Sequence, residues 1–143
     1  MDAFGCKGKF LNFETFFLKT KKELYKINFL IKDNSVRLWE FKKSSETMIC
    51  LVAASRHTAS VTTVCFSQMT NDFFLSASED TTLKLWSITH SEDKETKLKD
   101  CKIMVKFTTV AHQKDINCVC ISPNDKIVAT GSQDKSVKVS FSY

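Results

Sequence analysis

The 143-residue sequence has little glycine and proline, with three and one residues respectively, and it has no long apolar run. This composition excludes collagen-like and low-complexity chains, and it means that turns must be built from Asn, Asp and Ser. The longest apolar stretch, residues 10–18, already contains Asn12 and Glu14. It falls short of the roughly 18 to 20 apolar residues of a membrane span and lacks the features of a signal peptide. We therefore expect an intracellular protein.

Cysteine is more plentiful, with six residues, but the expected reducing compartment argues against disulfides. Cys118 and Cys120 form a C-x-C pair without a second pair at zinc-binding spacing, and His112 is the only histidine near them. Alternate residues on a strand share a face, and free cysteines usually pack there as small buried hydrophobic residues. We therefore predict that these two cysteines are buried, and we predict no metal site and no cofactor.

The net charge of +5 comes entirely from the first 43 residues, because residues 44–143 contain equal numbers of basic and acidic side chains. RNA-binding surfaces usually combine clustered basic residues with exposed aromatics. Lys19, Lys21 and Lys22 beside Phe16 and Phe17 come closest to that pattern. A hairpin would bury those aromatics in part and leave the lysines in a solvated turn, so we do not predict direct RNA binding here.

A repeat is the strongest signal in the sequence. It is anchored at Asp33, Asp80 and Asp134, which lie 47 and 54 residues apart. Each Asp is followed three and five residues later by an aliphatic residue, with a basic residue between them. Trp39 and Trp86 come six residues after the first two anchors. The spacing is close to the roughly 40 to 45 residues of one propeller blade.

Short runs rich in β-branched and aromatic residues surround each anchor and predict four antiparallel strands per unit. The clearest runs are residues 61–66, 73–78, 116–121 and 127–132, with fourth strands at 47–53 and 103–109. Residues 10–31 fit either a loosely periodic helix or a hairpin that turns at residues 20–22. The alternation of residues 25–32 favours the hairpin.

The second unit resembles a WD40 repeat, in its His57, its Val-Cys-Phe-Ser run at 64–67, its Leu-Ser-Ala-Ser-Glu-Asp run at 75–80 and its Leu-Lys-Leu-Trp run at 83–86. The resemblance implies a buried, hydrogen-bonded structural tetrad of His57, Ser76, Asp80 and Trp86. It implies partial tetrads in the other units, made of Asp33, Trp39, His112, Thr130 and Asp134. Each buried polar group in such a tetrad finds a partner.

Ser, His and Asp could also be interpreted as a hydrolase triad. The same residues recur in each repeat with a Trp attached, and the sequence has no nucleophile elbow. We therefore predict no catalytic residues and no enzymatic activity.

The predicted fold is an all-β, partial WD40 β-propeller of about three four-stranded antiparallel blades, the first degenerate and the last incomplete. We expect an N-terminal tail at 1–9 and blades at 10–54, 55–110 and 111–143. Ser140 stands where the third Trp belongs, which suggests an altered or truncated C-terminus. Because closed propellers have 4 to 8 blades, we expect a piece of a longer protein or a chain that oligomerises.

Residues 111–117, 121–126 and 129–134 resemble, more narrowly, the transducin beta-like WD40 subunits of the small-subunit processome. That resemblance implies a scaffold in pre-rRNA processing and ribosome biogenesis, located in the nucleolus of the nucleus. Its partners would be proteins of a large ribonucleoprotein assembly, with indirect association to U3 small nucleolar RNA or pre-rRNA, and with no membrane or small-molecule substrate.

The alternative function is that of a WD40 substrate receptor or signalling adaptor that binds peptides. Arg37 and Arg56, the only arginines, give it thin support. The charged residues 91–102 are the longest predicted loop, and we interpret them as a solvated connection between blades.

Overall fold

A computed structural model of the chain describes residues 15–19, 24–28, 34–42, 47–70, 72–92 and 99–141. The regular structure in these ranges is made of β-strands, which confirms the predicted all-β class. No helix within them has the length and hydrophobicity needed to cross a membrane. The predicted N-terminal tail at 1–9, the turn at 20–22 and Asp33 lie outside the described residues.

The first sheet contains four antiparallel strands in sequential order: β1 (Thr15–Lys19), β2 (Leu24–Asn28), β3 (Ser35–Lys42) and β4 (Thr47–Ser55). β1 pairs with β2 from Thr15 opposite Asn28 to Lys19 opposite Leu24. The hairpin prediction is confirmed for these strands, and the helical alternative is wrong. The near-perfect alternation after Leu24 suits a pleated strand, whose side chains repeat every two residues.

The second sheet repeats this meander with β5 (Val61–Phe66), β6 (Phe73–Ser78), β7 (Thr82–Glu92) and β8 (Lys99–Val110). The third sheet contains β9 (Ile116–Ile121), β10 (Ile127–Ser132) and β11 (Val137–Phe141). Its three strands are again antiparallel neighbours in sequential order. The described architecture is therefore that of a partial propeller, while the predicted blade limits at 10–54, 55–110 and 111–143 remain predictions.

The prediction of a long charged loop at residues 91–102 is wrong for residues 91, 92 and 99–102, which belong to β7 and β8, while residues 93–98 lie outside the described residues. β7 and β8 extend into this segment and pair as far as Glu92 opposite Lys99. Backbone hydrogen bonds pair antiparallel strands whatever their side chains, which is why a polar segment can continue a hairpin. The segment joins two strands of one sheet and does not connect two blades.

Two apolar clusters hold the three sheets together. The first lies between the first and second sheets, and its buried members are Val36, Leu38, Val61, Val64, Phe66, Phe74, Trp86, Ile88 and Cys101. The second lies between the second and third sheets, and its buried members are Leu75, Ala77, Ile116, Val119 and Ile121. Each sheet therefore uses one face to cover the face of its neighbour.

Three tight turns contain a residue in the left-handed region of backbone conformation, at Thr81 (φ 67°), Asp125 (φ 57°) and Lys135 (φ 67°). Thr81 and Lys135 each follow the anchor Asp of their repeat directly, between the second and third strands of the sheet. Glycine normally occupies such positions, and a β-branched residue such as Thr is strained there. The scarcity of glycine in this chain therefore has a local energetic cost.

Candidate functional site

The structure brings His57, Ser76, Asp80 and Trp86 together in one hydrogen-bonded network of the second sheet. His57 Nδ1 lies 2.8 Å from Asp80 Oδ2, and His57 Nε2 lies 2.7 Å from Ser76 Oγ. The Trp86 indole N–H donates to the same Ser76 oxygen at 2.7 Å. The loop before β5 supplies the histidine, β6 the serine, the following turn the aspartate and β7 the tryptophan. The network therefore joins β6 and β7 to the loop before β5 and to the turn between β6 and β7.

One arrangement of protons satisfies every member of this network. The indole can only donate, so Ser76 accepts from Trp86 and uses its own proton to donate to His57 Nε2. His57 Nδ1 then carries the ring proton and donates to Asp80. Burial lowers the pKa of His57 below its ordinary 6.5, and the nearby Asp80 carboxylate only partly offsets that effect. The imidazole is therefore neutral at pH 7.

Two further residues, which the sequence interpretation missed, complete the site around Asp80. Thr82 donates both its backbone N–H and its hydroxyl to Asp80 Oδ1, and the Thr58 N–H donates to Asp80 Oδ2 at 2.9 Å. Burial raises the pKa of Asp80, but the hydrogen bonds from Thr82, Thr58 and His57 outweigh it and lower that pKa to about 2. A hydroxyl residue two positions after each anchor Asp, at Ser35, Thr82 and Ser136, was the available signal.

The third sheet builds the same network without an indole. His112 Nδ1 lies 2.9 Å from Asp134 Oδ2, and His112 Nε2 lies 2.8 Å from Thr130 Oγ1. Ser136 takes the role of Thr82, and its hydroxyl donates to Asp134 Oδ1 at 2.6 Å. That bond is the main cause that holds the pKa of Asp134 well below its ordinary range, with burial opposing it.

The indole that distinguishes the two networks belongs to the third strand of its sheet. Trp86 lies opposite Phe74 in the register, and Ser140 lies opposite Val128, so the two residues occupy equivalent positions. The Trp86 ring is buried and stacks on Phe74 with ring centroids 5.6 Å apart. Ser140 is exposed. Thr130 therefore receives no indole N–H in the part of the chain that the structure describes.

The partial tetrad of the first sheet is represented among the described residues only by Trp39. This side chain is half-buried and lies at the register shift between β3 and β4 that also occurs at Trp86, between β7 and β8. Its predicted partner Asp33 lies outside the described residues. Ser35, two positions after that Asp, is buried.

The geometry of Ser76, His57 and Asp80 is that of a hydrolase triad, but its environment is not. The Ser76 side chain has an exposed fraction of 0%, and its oxygen already accepts the Trp86 indole proton. A nucleophile must reach a carbonyl carbon and needs oxyanion donors about 3 Å beyond it. This serine has no contact with solvent, so the arrangement stabilises the blade and cannot attack a substrate.

A second polar cluster joins two sheets, and Asp125 is its centre. This carboxylate accepts hydrogen bonds from the Ser67 hydroxyl at 2.6 Å, the Gln68 N–H at 2.7 Å and the Met69 N–H at 3.1 Å. Asp125 belongs to the β9–β10 turn, whereas its three donors belong to the β5–β6 turn. Burial raises the pKa of Asp125, but these bonds outweigh it and leave that pKa below its ordinary value. We call this group the Asp125 clasp.

A groove of about 560 Å³ lies between the outer strands β4 and β8, with Trp86 at its base. Arg56 is the only charged side chain among the described residues that line it. Among the described residues that line the groove, no nucleophile is paired with a base.

Cys118 and Cys120 are exposed, so the prediction that they are buried is wrong. Their positions on β9 alternate with Val119 and Ile121, which take the buried face. Within the described ranges, no three His, Cys, Asp or Glu side chains lie close enough together to hold a metal ion.

Comparison with known families finds a match to the model of the WD domain, G-beta repeat, over residues 49–87 and 104–139. Each of these segments includes residues of the fourth strand of one sheet and of the first three strands of the next. The first match contains Trp86 near its end, whereas the second match ends one residue before Ser140.

The chain is also similar to individual curated proteins. It is 42% identical over 111 residues to human Transducin beta-like protein 3 and 36% identical over 114 residues to the yeast U3 small nucleolar RNA-associated protein 13. A Ribosome biogenesis protein WDR12 homolog of Drosophila mojavensis is 27% identical over 109 residues. These alignments cover 75 to 76% of the chain, but they cover 14% of each of the first two relatives and 23% of the third.

Proposed function

We propose, because this chain belongs to the WD40 repeat family, that it is a non-catalytic scaffold of ribosome biogenesis that holds proteins of a large ribonucleoprotein assembly. The observation that supports this proposal most directly is the similarity of 76% of the chain to Transducin beta-like protein 3 and to a U3-associated protein. A fold alone does not establish a function, so the proposal depends on the particular relatives.

The scaffold role is consistent with the chemistry of the polar networks. His57, Ser76 and His112 are buried and hydrogen-bonded within their own sheets. Their protons satisfy neighbouring groups, which leaves contact with partners to the turns and outer strands. Loops on a rigid scaffold are the usual carriers of such contacts.

We infer that the assembly is the small-subunit processome and that the chain associates with U3 small nucleolar RNA or pre-rRNA indirectly, through proteins. Residues 44–143 carry no net charge, and these residues include the second and third sheets. Direct binding to a phosphate backbone needs a basic surface. A nucleolar location in the nucleus follows from the same proposal.

Affinity purification of the tagged chain from cells, with mass spectrometry and measurement of U3 RNA, tests this function. We expect processome proteins in the eluate, and we expect them to remain after nuclease treatment while U3 RNA is lost. Recovery of ubiquitin-ligase or signalling proteins without processome proteins would favour the receptor or adaptor function instead.

Two variants provide matched controls for that purification. Trp86→Ala removes a fully buried ring and should abolish recovery of partners because the scaffold is destabilised. Ser140→Ala changes the exposed equivalent position and should leave recovery unchanged. Loss of all protein partners on nuclease treatment would contradict indirect RNA association.

A further inference from the structure

The groove between β4 and β8 lies at the outer end of the contact between the first and second sheets. Each of these strands is the last of a four-stranded sheet, and the two sheets pack on each other through the first apolar cluster. The groove is therefore part of a contact within this chain and not the uncovered face of one sheet. Its volume of about 560 Å³ lies within the range of roughly 300 to 1,000 Å³ that is usual for binding sites.

The walls of the groove are apolar and belong to edge strands. β4 contributes Val52 and Ala54, β8 contributes Ile103 and Val105, and all four residues are half-buried. The outer edge of each strand has no further strand of its own sheet beside it. An extended peptide can hydrogen-bond to the backbone of such an edge while its alternate side chains enter an apolar groove. The architecture therefore suits a segment of polypeptide.

One end of the groove carries a cation without a partner. Arg56 directly follows β4 and is exposed, and its guanidinium makes no hydrogen bond or ion pair among the residues that the structure describes. A guanidinium presents its N–H donors in a planar fork that fits both oxygens of a carboxylate. Charge-assisted pairs of this kind are stronger than neutral hydrogen bonds. This end of the groove is therefore complementary to an acidic side chain.

A second cation, Lys84, lies near the same end. It is 8% exposed, and its ammonium group donates to the Thr108 hydroxyl at 3.3 Å, with no carboxylate partner in the described part of the chain. Its charge helps to lower the pKa of His57, the residue after Arg56, so the ammonium lies within electrostatic range of this segment. Buried charges in proteins are usually paired with an opposite charge.

Asp80, the carboxylate of the His57 network, does not form an ion pair with either cation. Its oxygens accept hydrogen bonds from His57 and from two threonines, and they accept none from Arg56 or Lys84. Both cations therefore lack a direct counter-charge within the described ranges. An acidic side chain from outside would supply one at the Arg56 end without breaking any of these hydrogen bonds.

We propose that the groove binds a short, extended peptide of a partner protein, with an acidic residue at the Arg56 end and an aliphatic residue two positions away. Side chains two positions apart in an extended chain point the same way and lie roughly 6.6 Å apart. The acidic residue then pairs with the guanidinium, while the aliphatic residue packs between Val52 and Ile103. The wall from Val52 to Ser55 is roughly 10 Å long, which is enough for three extended residues.

The composition of the groove favours a peptide over a nucleic acid. Single-stranded nucleic acids bind along a basic track, with bases stacked on exposed aromatic rings. Trp86, the aromatic residue among those that line the groove, is 1% exposed and stacks on Phe74. The positive charge of the lining residues is confined to Arg56 at one end. A peptide with one acidic and one aliphatic residue matches both properties.

Selection from a displayed library of random dodecapeptides tests the proposal on the full chain. We expect enrichment of sequences in which Asp or Glu lies two positions from Leu, Ile or Val. A parallel selection on Arg56→Glu should enrich Lys or Arg at the acidic position, because the charge at the end of the groove is reversed. Enriched sequences without the acidic residue would overturn the proposal.

The affinity of one enriched peptide, labelled with a fluorophore and followed by fluorescence polarisation, measures the contribution of Arg56. Arg56→Ala should weaken binding about tenfold, because the charge-assisted pair is lost. Lys114→Ala is the matched control, since this exposed lysine outside the groove carries the same charge, and it should change the affinity less than about twofold. Unchanged circular dichroism and melting would show that both variants fold.

A double-mutant cycle places the acidic residue of the peptide against Arg56. A Glu→Gln change in the peptide should weaken binding about tenfold to the parent chain and less than about twofold to Arg56→Ala, because only the parent retains the charge pair. A tenfold loss in both chains would overturn the proposal, because the acidic residue would then bind elsewhere.

Two further results would also overturn it. They are equal losses of affinity in Arg56→Ala and Lys114→Ala, and binding of a labelled single-stranded RNA dodecamer that displaces the peptide and that Arg56→Ala abolishes. The second result would indicate a nucleic-acid site. The inference goes beyond the scaffold role, and none of these measurements depends on whether the partner belongs to ribosome biogenesis.

Discussion

The second and third sheets contain the same histidine network on equivalent strands, but only the network of the second sheet ends in an indole. In both sheets the histidine bridges a strand hydroxyl and a turn aspartate at distances between 2.7 and 2.9 Å. Trp86 buries the third strand of the second sheet, whereas Ser140 leaves the third strand of the third sheet exposed. The comparison separates two roles. The histidine and the aspartate stabilise the turn, and the tryptophan packs the third strand into the core.

The largest difference in stability between the two sheets is expected when the side chain at the Trp86 or Ser140 position is removed. Trp86→Ala should lower the free energy of unfolding by about 4 kcal/mol, because it leaves a cavity and removes the stack on Phe74. Ser140→Ala should change it by less than about 0.5 kcal/mol. Urea unfolding measures both, and similar losses would show that the two strands are fastened in the same way.

Removal of the central hydroxyl should reveal how many partners it serves in each sheet. Ser76→Ala leaves two groups without their hydrogen-bond partner, the His57 ring nitrogen and the Trp86 indole. It should lower the free energy of unfolding by about 2 to 3 kcal/mol. Thr130→Val leaves only His112 without its partner and should lower the free energy of unfolding by about 1 kcal/mol. Equal losses in chemical denaturation would contradict the assignment of a second hydrogen-bond partner to Ser76 alone.

Acidification should weaken the second sheet in two steps. The pKa of His57 is lowered by folding, so its contribution is present above about pH 6.5 and is lost as the pH falls below that value. The pKa of Asp80 falls from 3.8 to about 2, so its contribution is present above about pH 4 and is lost as the pH approaches 2.

Melting temperatures measured from pH 8 to pH 2 test both steps. The gap in melting temperature between the parent chain and Asp80→Asn should close between about pH 4 and pH 2. If the two melting curves stayed parallel through this range, the pKa of Asp80 would be the same in the folded and unfolded chains.

The smallest expected effects are gains in stability at the two strained turns. Thr81→Gly should stabilise the chain by about 1 kcal/mol, because glycine adopts the left-handed conformation without a Cβ clash. Lys135→Gly should gain less, since lysine is not β-branched. Thermal unfolding distinguishes the two, and a larger gain at Lys135 would mean that backbone strain is concentrated in the third sheet.

The strands and the core could be predicted from the sequence because their signals are local. Runs such as Phe73–Ser78 combine β-branched or aromatic residues with flanking turn residues, and the structure places a strand there. The hairpin of β1 and β2 was also recoverable, because alternation after Leu24 distinguishes a strand from a helix.

Features that depend on spatial partners could not be predicted in this way. The continuation of β7 and β8 to Glu92 and Lys99 depends on cross-strand pairing of charges, which in one dimension looks like a polar loop. The exposure of Cys118 and Cys120 depends on which face of the third sheet is covered. The hydroxyls of Thr82 and Ser136 repeat at a fixed distance from Asp80 and Asp134, so this part of the site was available in the sequence but was overlooked.

The Asp125 clasp has a consequence for how the chain loses its structure. In an array of repeats, stability divides into the intrinsic stability of each unit and a coupling energy between neighbours. Asp125 holds three donors of the preceding sheet, so fraying of the β9–β10 turn also releases the β5–β6 turn. Together with the hydrogen bond from the Thr62 hydroxyl to the Ile116 carbonyl, the clasp therefore adds a polar, directional component to the hydrophobic coupling between the second and third sheets.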